Sequence, residues 1–221
     1  MPSTSDLACT FIALSAGLAS GVARIAATRP PLRVPLATLF MLALVGAVFS
    51  AQLAFPELLP LLTREGSLIR RGELWRGVTA LFAQDGGVAG AIFNMTILLA
   101  LGVVADQLLG TRRWLLIYLG AGVITEFLAL VWQPHGAGNS IAVFGLAGAL
   151  AVIGVGRRMA VVQILSSLAA IAAGLGLLIQ RDIHGIGFWI GAAICLGLAA
   201  ASQGSTRDRD LHPGSVKRAR P

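Results

Sequence analysis

The chain has 221 residues, 56% of them hydrophobic and 12% charged, with a formal net charge of +7 and a mean hydropathy of +0.81. A soluble domain carries about a quarter charged residues, so this composition excludes one and reads as an all-α polytopic membrane protein. Cys9 and Cys195 lie singly in apolar stretches, which excludes a disulfide framework and a CxxC metal or redox site; no metal or organic cofactor is expected.

The first apolar stretch, Leu7–Ala23, is short, rich in Ala, Ser and Gly, and lacks the basic start of a signal peptide. It reads as an extra helix of open placement, with a surface-lying segment or a leader as alternatives. Its tail, ARIAATRPPLR, reads as a cytoplasmic linker, so residues 1–33 form an N-terminal segment. Six further stretches have the length that crosses a hydrocarbon core of about 30 Å: Leu36–Phe55, Thr79–Val104, Trp114–Trp132, Ser140–Val155, Met159–Ile179 and Ile183–Ala201. They make a six-helix membrane domain over residues 34–202. Residues 203–221 form a basic, polar tail expected to be disordered.

The positions of the charges give the orientation. Arg24, Arg29, Arg33, Arg112, Arg113, Arg157, Arg158, Arg207, Arg209, Lys217, Arg218 and Arg220 fall on one side of the six spans, and Arg64, Arg70, Arg71, Arg76 and Arg181 on the other. The positive-inside rule makes the richer side cytoplasmic, with the C-terminus facing in. Charge that follows membrane topology leaves nucleic acid a poor explanation for the basic balance, and the bilayer is the expected partner. Between the first two spans, FPELLPLLTREGSLIRRGELWRGVTALF is too polar to cross and too apolar to float free. Leu58, Leu59, Leu61 and Leu62 are expected in lipid or against the core. Trp75 and Arg76 suit the membrane boundary, Arg76 as a snorkelling guanidinium.

Polar residues within spans are costly in lipid and call for a partner or a purpose. Asn94, Glu126, Ser140 and His184 qualify, with Asp85 near the outer end of the second span. Treating Asp85 to Asn94 as continuous helix puts Asn94 about 13 Å deeper. Glu126 is expected to be neutral or paired within a local polar network. Ser140 and His184 head two different helices on the same side, where an imidazole can take the proton from a serine hydroxyl. A helix N-terminus also favours a developing oxyanion. Gly187 and Gly191 are spaced as GxxxG, and the fourth span offers Gly145 and Gly148, so both helices carry the small residues that close approach needs. The plainer alternative is an ordinary helix cap at Asn139 or Ser140 and an interfacial histidine.

These residues carry a resemblance to the rhomboid intramembrane serine proteases, over about Leu36 to Ala201. GELWRGVTALF resembles the family's Trp-Arg loop motif, and FNMTILLALG with ADQLLG resembles its second helix. GNSIAVFGLAGAL, beginning at Gly138, resembles the Gly-x-Ser motif, and HGIGFWIG the last helix. The resemblance implies Ser140 as nucleophile, His184 as base, Asn94 as an oxyanion donor and Phe144 as the ring packed on the imidazole. It implies no aspartate partner for the histidine, and transmembrane segments of other proteins as substrates. Three departures stand out. Asp85 and Gly90 replace histidines of the second helix, and Ile141 replaces the glycine after the serine. An ionised Asp85 near the oxyanion would oppose it, so it must point away, be protonated or mark weakened catalysis. Two other functions stay open: a catalytically silent protein that binds transmembrane helices, and a small transporter using Glu126 and Asp85. The oligomeric state is not legible.

Overall fold

The computed structural model describes residues 4–153 and 160–211, with side chains over 7–153 and 160–202. The expected end of the fourth span at Val155, the start of the fifth at Met159, Arg157 and Arg158, and residues 212–221 lie outside the described residues, as do the side chains of 203–211.

The long helices are α1 (Thr4–Thr28) and α2 (Leu36–Ala54), then, after short elements α3 (Leu58–Leu62), β1 (Arg64–Glu65), α4 (Gly66–Ile69) and α5 (Arg76–Thr79), α6 (Gly87–Leu109) and α7 (Thr111–Leu128). A two-residue strand β2 (His135–Gly136) leads into α8 (Ser140–Ile153), followed by α9 (Val161–Ile179) and α10 (Ile183–Leu211). The strands β1 and β2 pair antiparallel, Arg64 opposite Gly136 and Glu65 opposite His135.

Among the described residues six helices are long and apolar enough to cross a membrane, namely α1, α2, α6, α7 with its short extension, α9 and α10. The expected extra helix is therefore one of them. It packs on α8, α9 and α6 rather than lying on a surface. Conversely the fourth expected span is the short one. The 14 described residues of α8 rise about 21 Å, less than the hydrocarbon thickness.

Short as it is, α8 is the centre. Every residue from Ile141 to Ala151 is buried, and the helix touches α10, α7, α1, α6 and α9; apolar all round, it can only be a core helix. Lipid supplies no hydrophobic drive for helices to associate, so close packing of small residues must hold them. A Cβ placed on Gly148 would sit 2.0 Å from the Phe188 carbonyl oxygen, and one on Gly191 2.1 Å from that of Gly145. Gly187 meets the Ile141 carbonyl oxygen in the same way, at 2.4 Å. The other flank repeats the principle. Gly17 of α1 faces Ala147, and the buried Ser20 hydroxyl lies 3.1 Å from the Leu150 carbonyl oxygen and 2.9 Å from Ser167 Oγ.

Two boundaries and one side chain differ from expectation. The second span begins at Gly87, not Thr79, because Asp85–Gly86–Gly87 forms a turn in which Gly87 has φ +63°, a conformation glycine adopts without strain. The last helix continues to Leu211, beyond the expected boundary at 202; adding residues to a formed helix is far easier than starting one. Arg76 is not a snorkelling side chain. It is 5% exposed, its Nη1 donating to the carbonyls of Pro60 (2.7 Å) and Thr63 (3.0 Å) and its Nε to Glu73 (2.6 Å). Arg76 thus ties α3 and the residue that follows it to α5, while Trp75 stays exposed.

The seam gives a direct expectation. Gly148→Ala or Gly191→Ala forces α8 and α10 apart and lowers stability by about 1–3 kcal/mol, measured as a lower midpoint of unfolding in mixed micelles. Gly197→Ala, on the same helix but with nothing within 4 Å of the added Cβ, leaves the midpoint unchanged or raises it.

Candidate active site

The approach to α8 determines where Ser140 sits. Gly138 has φ +150° and donates its N–H to the Ala80 carbonyl at 2.9 Å. Asn139 then accepts the first helical hydrogen bond, from Val143 N at 3.1 Å, so Ser140 opens the helix with its side chain half-buried. Against it lies the start of α10. Ser140 Oγ is 2.9 Å from His184 Nε2, and the Phe144 ring, one turn further along α8, packs on the imidazole with centroids 4.7 Å apart at 51°.

The imidazole has a second neighbour that the family resemblance does not supply. Asp182 Oδ1 lies 2.6 Å from His184 Nδ1 and accepts the His184 backbone N–H at 2.9 Å. Burial works against the Asp182 carboxylate, but its hydrogen bonds and charge interaction with His184 prevail and hold the carboxyl below its usual range.

Asn94 projects from α6 toward the same place. Its Nδ2 donates to Gln84 Oε1 at 2.8 Å, and Gln84 Nε2 donates to Asn139 Oδ1 at 2.9 Å. Gln84 is fixed in turn through its backbone, whose N–H donates to Gln52 Oε1 on α2 at 3.0 Å. A point one Cβ bond from Gly138 would be 3.6 Å from Asn94 Nδ2 and 3.7 Å from Ser140 Oγ. The glycine therefore leaves a space between hydroxyl and amide that a side chain would fill. The helix that carries Asn94 starts at Gly87, so Asp85 and Asn94 do not share the continuous helix expected for them.

The departures from the family pattern are accommodated differently. Asp85 points to the loop before α8, its Oδ2 accepting the Ala137 N–H at 2.8 Å. Gly90 has open space where a Cβ would go. Ile141 is 2% exposed and belongs to the core cluster, although it also borders the cavity over Ser140.

That cavity, of about 200 Å³, is lined by Arg64, Asp85, Glu126, His135, Ser140 and His184 among others. Its far wall is a buried ion pair between Arg64 and Glu126. Arg64 Nε also donates to the Gln133 carbonyl at 3.1 Å and Nη2 to that of His135 at 3.5 Å. The pair thereby binds the loop leading to Ser140, and Glu126 is the paired member of a polar network, as one of its expected alternatives had it. A hydrogen bond from the exposed His135 to Glu65 (Nδ1 to Oε2, 2.9 Å) holds Glu65 below its ordinary pKa. Next to α1, Leu14 shares a small cavity with Asn94, Ser140 and Phe144.

Ser140, His184, Asn94, Phe144 and Gly138 are thus brought together. Gly187 and Gly191 lie on the α8–α10 seam, and Trp75 and Arg76 in the loop region. Asp182, Gln84 and Arg64 were not singled out as site residues from sequence. A buried Glu126 signals that some cation must approach it; Asp182 and Gln84 sit in turns, where a polar residue draws no notice. No cluster of three or more metal-ligating side chains occurs among the described residues.

Comparison with known proteins identifies the family. The Rhomboid domain family matches residues 71–201, more than half of the chain. Rhomboid protease GluP of Bacillus subtilis is 40% identical over 88 residues, covering 39% of this chain and 17% of that protein. Putative rhomboid protease YdcA of the same organism is 32% identical over 84 residues, covering 36% of this chain and 41% of that protein. The matched stretches thus span less than half of either relative. No solved structure matches the chain.

The ion pair is testable. Glu126→Ala leaves Arg64 buried without a counter-charge and destabilises the protein by about 3–5 kcal/mol. Glu126→Ala combined with Arg64→Met recovers much of that loss in the same unfolding assay.

Proposed function

The chain belongs to the rhomboid family, and we propose that it is an intramembrane serine endopeptidase that cuts transmembrane segments of other proteins. The observation that carries the reading is the 2.9 Å contact between Ser140 Oγ and His184 Nε2, a nucleophile within hydrogen-bond reach of its base. The relatives named as rhomboid proteases support it.

In this reading Ser140 Oγ attacks the carbonyl carbon of the scissile peptide while its proton passes to His184 Nε2. The carbonyl π pair moves onto oxygen, and the oxyanion occupies the space left by Gly138, where Asn94 Nδ2 donates to it at the positive end of α8. Collapse breaks the C–N bond, and Nε2 returns its proton to the leaving amine. Water from the polar cavity then hydrolyses the acyl-enzyme by the same transfers. Gln84 holds the Asn94 amide in place beforehand, so little reorganisation is needed when charge develops. The arginine distribution supports a reading in which this end of the bundle faces outward from a bacterial plasma membrane and the C-terminus faces the cytoplasm. Cleavage accordingly falls near the outer ends of single-span substrates.

The silent, helix-binding alternative draws on Gly90 and Ile141. A fluorophosphonate probe separates the two readings. The enzyme is labelled, and Ser140→Ala and His184→Ala lose both labelling and cleavage of a reconstituted transmembrane substrate; a wild-type protein that neither labels nor cuts refutes the protease. Asn94→Ala lowers kcat by about 100- to 1000-fold with KM little altered, the signature of a donor used only in the transition state.

A further inference from the structure

We propose that Asp182 is a positioning residue for this reaction, so that the chain works with a Ser140–His184–Asp182 triad in place of a dyad. The proposal rests on the proteolytic reading above and adds to it the group that orients the base.

The argument starts from the capacity of each atom. An ionised carboxylate only accepts hydrogen bonds, and a neutral imidazole has one donor and one acceptor nitrogen. With Asp182 Oδ1 at 2.6 Å from Nδ1, the hydrogen belongs on Nδ1. The lone pair of Nε2 is then the one facing Ser140 Oγ at 2.9 Å, the tautomer that general-base catalysis requires. When Nε2 gains the serine proton, the imidazolium lies against an anion already in place. Asp182 itself takes no proton at any step. The side chains of His184 and Asp182 are 26% and 18% exposed, so their attraction is stronger than between fully solvated charges.

Backbone geometry fixes this carboxylate. The Asp182 N–H donates to the Leu177 carbonyl at 2.9 Å, and its own carbonyl accepts from Gly185 N at 3.0 Å. Arg181 before it has φ +58°, and a Cβ on Gly185 would meet Leu178 N at 2.5 Å. The turn is thus clamped onto the end of α9. The other charged groups near the imidazole have different engagements. Arg181 is exposed on the same turn, Arg64 pairs with Glu126, Asp85 accepts from Ala137, and His135 contacts Glu65 across the cavity. Among the described residues Asp182 is the carboxylate hydrogen-bonded to His184.

The competing role is that of a cap only, since Asp182 precedes α10 and accepts the N–H of its second residue. Asparagine caps a helix as well as aspartate does but carries no charge, which separates the roles. In the reconstituted full-length protein, Asp182→Asn keeps the wild-type unfolding midpoint, yet kcat falls roughly 100-fold with KM little altered. In spectra of ¹⁵N-histidine-labelled protein, the downfield Nδ1–H resonance, assigned by its absence in His184→Ala, is lost. Asp182→Ala loses the rate and lowers the midpoint as well. Should Asp182→Asn not fold, Asp182→Ser supplies an uncharged cap for the same measurements. Wild-type kcat in the uncharged variant overturns the proposal, as does a wild-type imidazole with no hydrogen on Nδ1. If the wild type cuts no substrate, the proteolytic reading fails and the catalytic triad with it, while the Nδ1–H resonance separately reports whether Asp182 orients the imidazole.

Discussion

Contact between the backbones of α8 and α10 is the constraint on which the rest of the bundle depends. Ser140 and His184 stand at the first and second residues of these helices, so the distance between them is inherited from the spacing of the helix axes. Ser140, Phe144 and Gly148 recur every four residues along one face of α8; His184, Gly187 and Gly191 recur at three and four along α10. The faces that bear Ser140 and His184 therefore also bear the glycines that bring the helices together. A carbonyl oxygen 2.0 or 2.1 Å from an imagined Cβ leaves no room for alanine without separation. Separation at the seam is transmitted to the 2.9 Å contact at its end.

Around that seam, polar groups form two chains that close on the site from opposite sides. One runs through amides, from Gln52 on α2 to Gln84 in the turn before α6, then to Asn94 and Asn139. The other is ionic and joins Arg64 in the loop region to Glu126 on α7 and to the carbonyls before α8. In a medium without water each buried donor must find its acceptor inside the protein. The same necessity that satisfies these groups also fixes the amide and the loop on which the proposed chemistry relies.

Much of this was legible because lipid imposes strong rules. Long apolar runs identified the helices, and the cost of polar residues within them singled out Asn94, Glu126, Ser140 and His184. Where the reading failed, the information lay in contacts distant in sequence. Thr79–Phe82 is apolar enough to begin a span, but the glycines at 86 and 87 start the helix later. Arg76 beside Trp75 looks like a boundary residue until the carbonyls of Pro60 and Thr63 converge on it. Glu126 announced the need for a cation without revealing Arg64, 62 positions away. Asp182 escaped notice for another reason: a residue two before a histidine has no periodic signature, and family resemblance directed attention away from any aspartate.

The placement of α1 has a consequence for competition. It covers the flank of α8 that faces α6 and α9, and Leu14 borders the small space shared by Ser140 and Asn94. Residues 29–35 tether α1 to α2, and a short tether gives a segment an effective concentration on the order of millimolar at its own groove. A separate membrane helix arriving at this flank meets an occupant that is never diluted away. Discrimination among such helices at this flank is then set by a difference, between what the newcomer gains against α8 and what α1 gives up in the contacts of Gly17, Ser20 and Gly21.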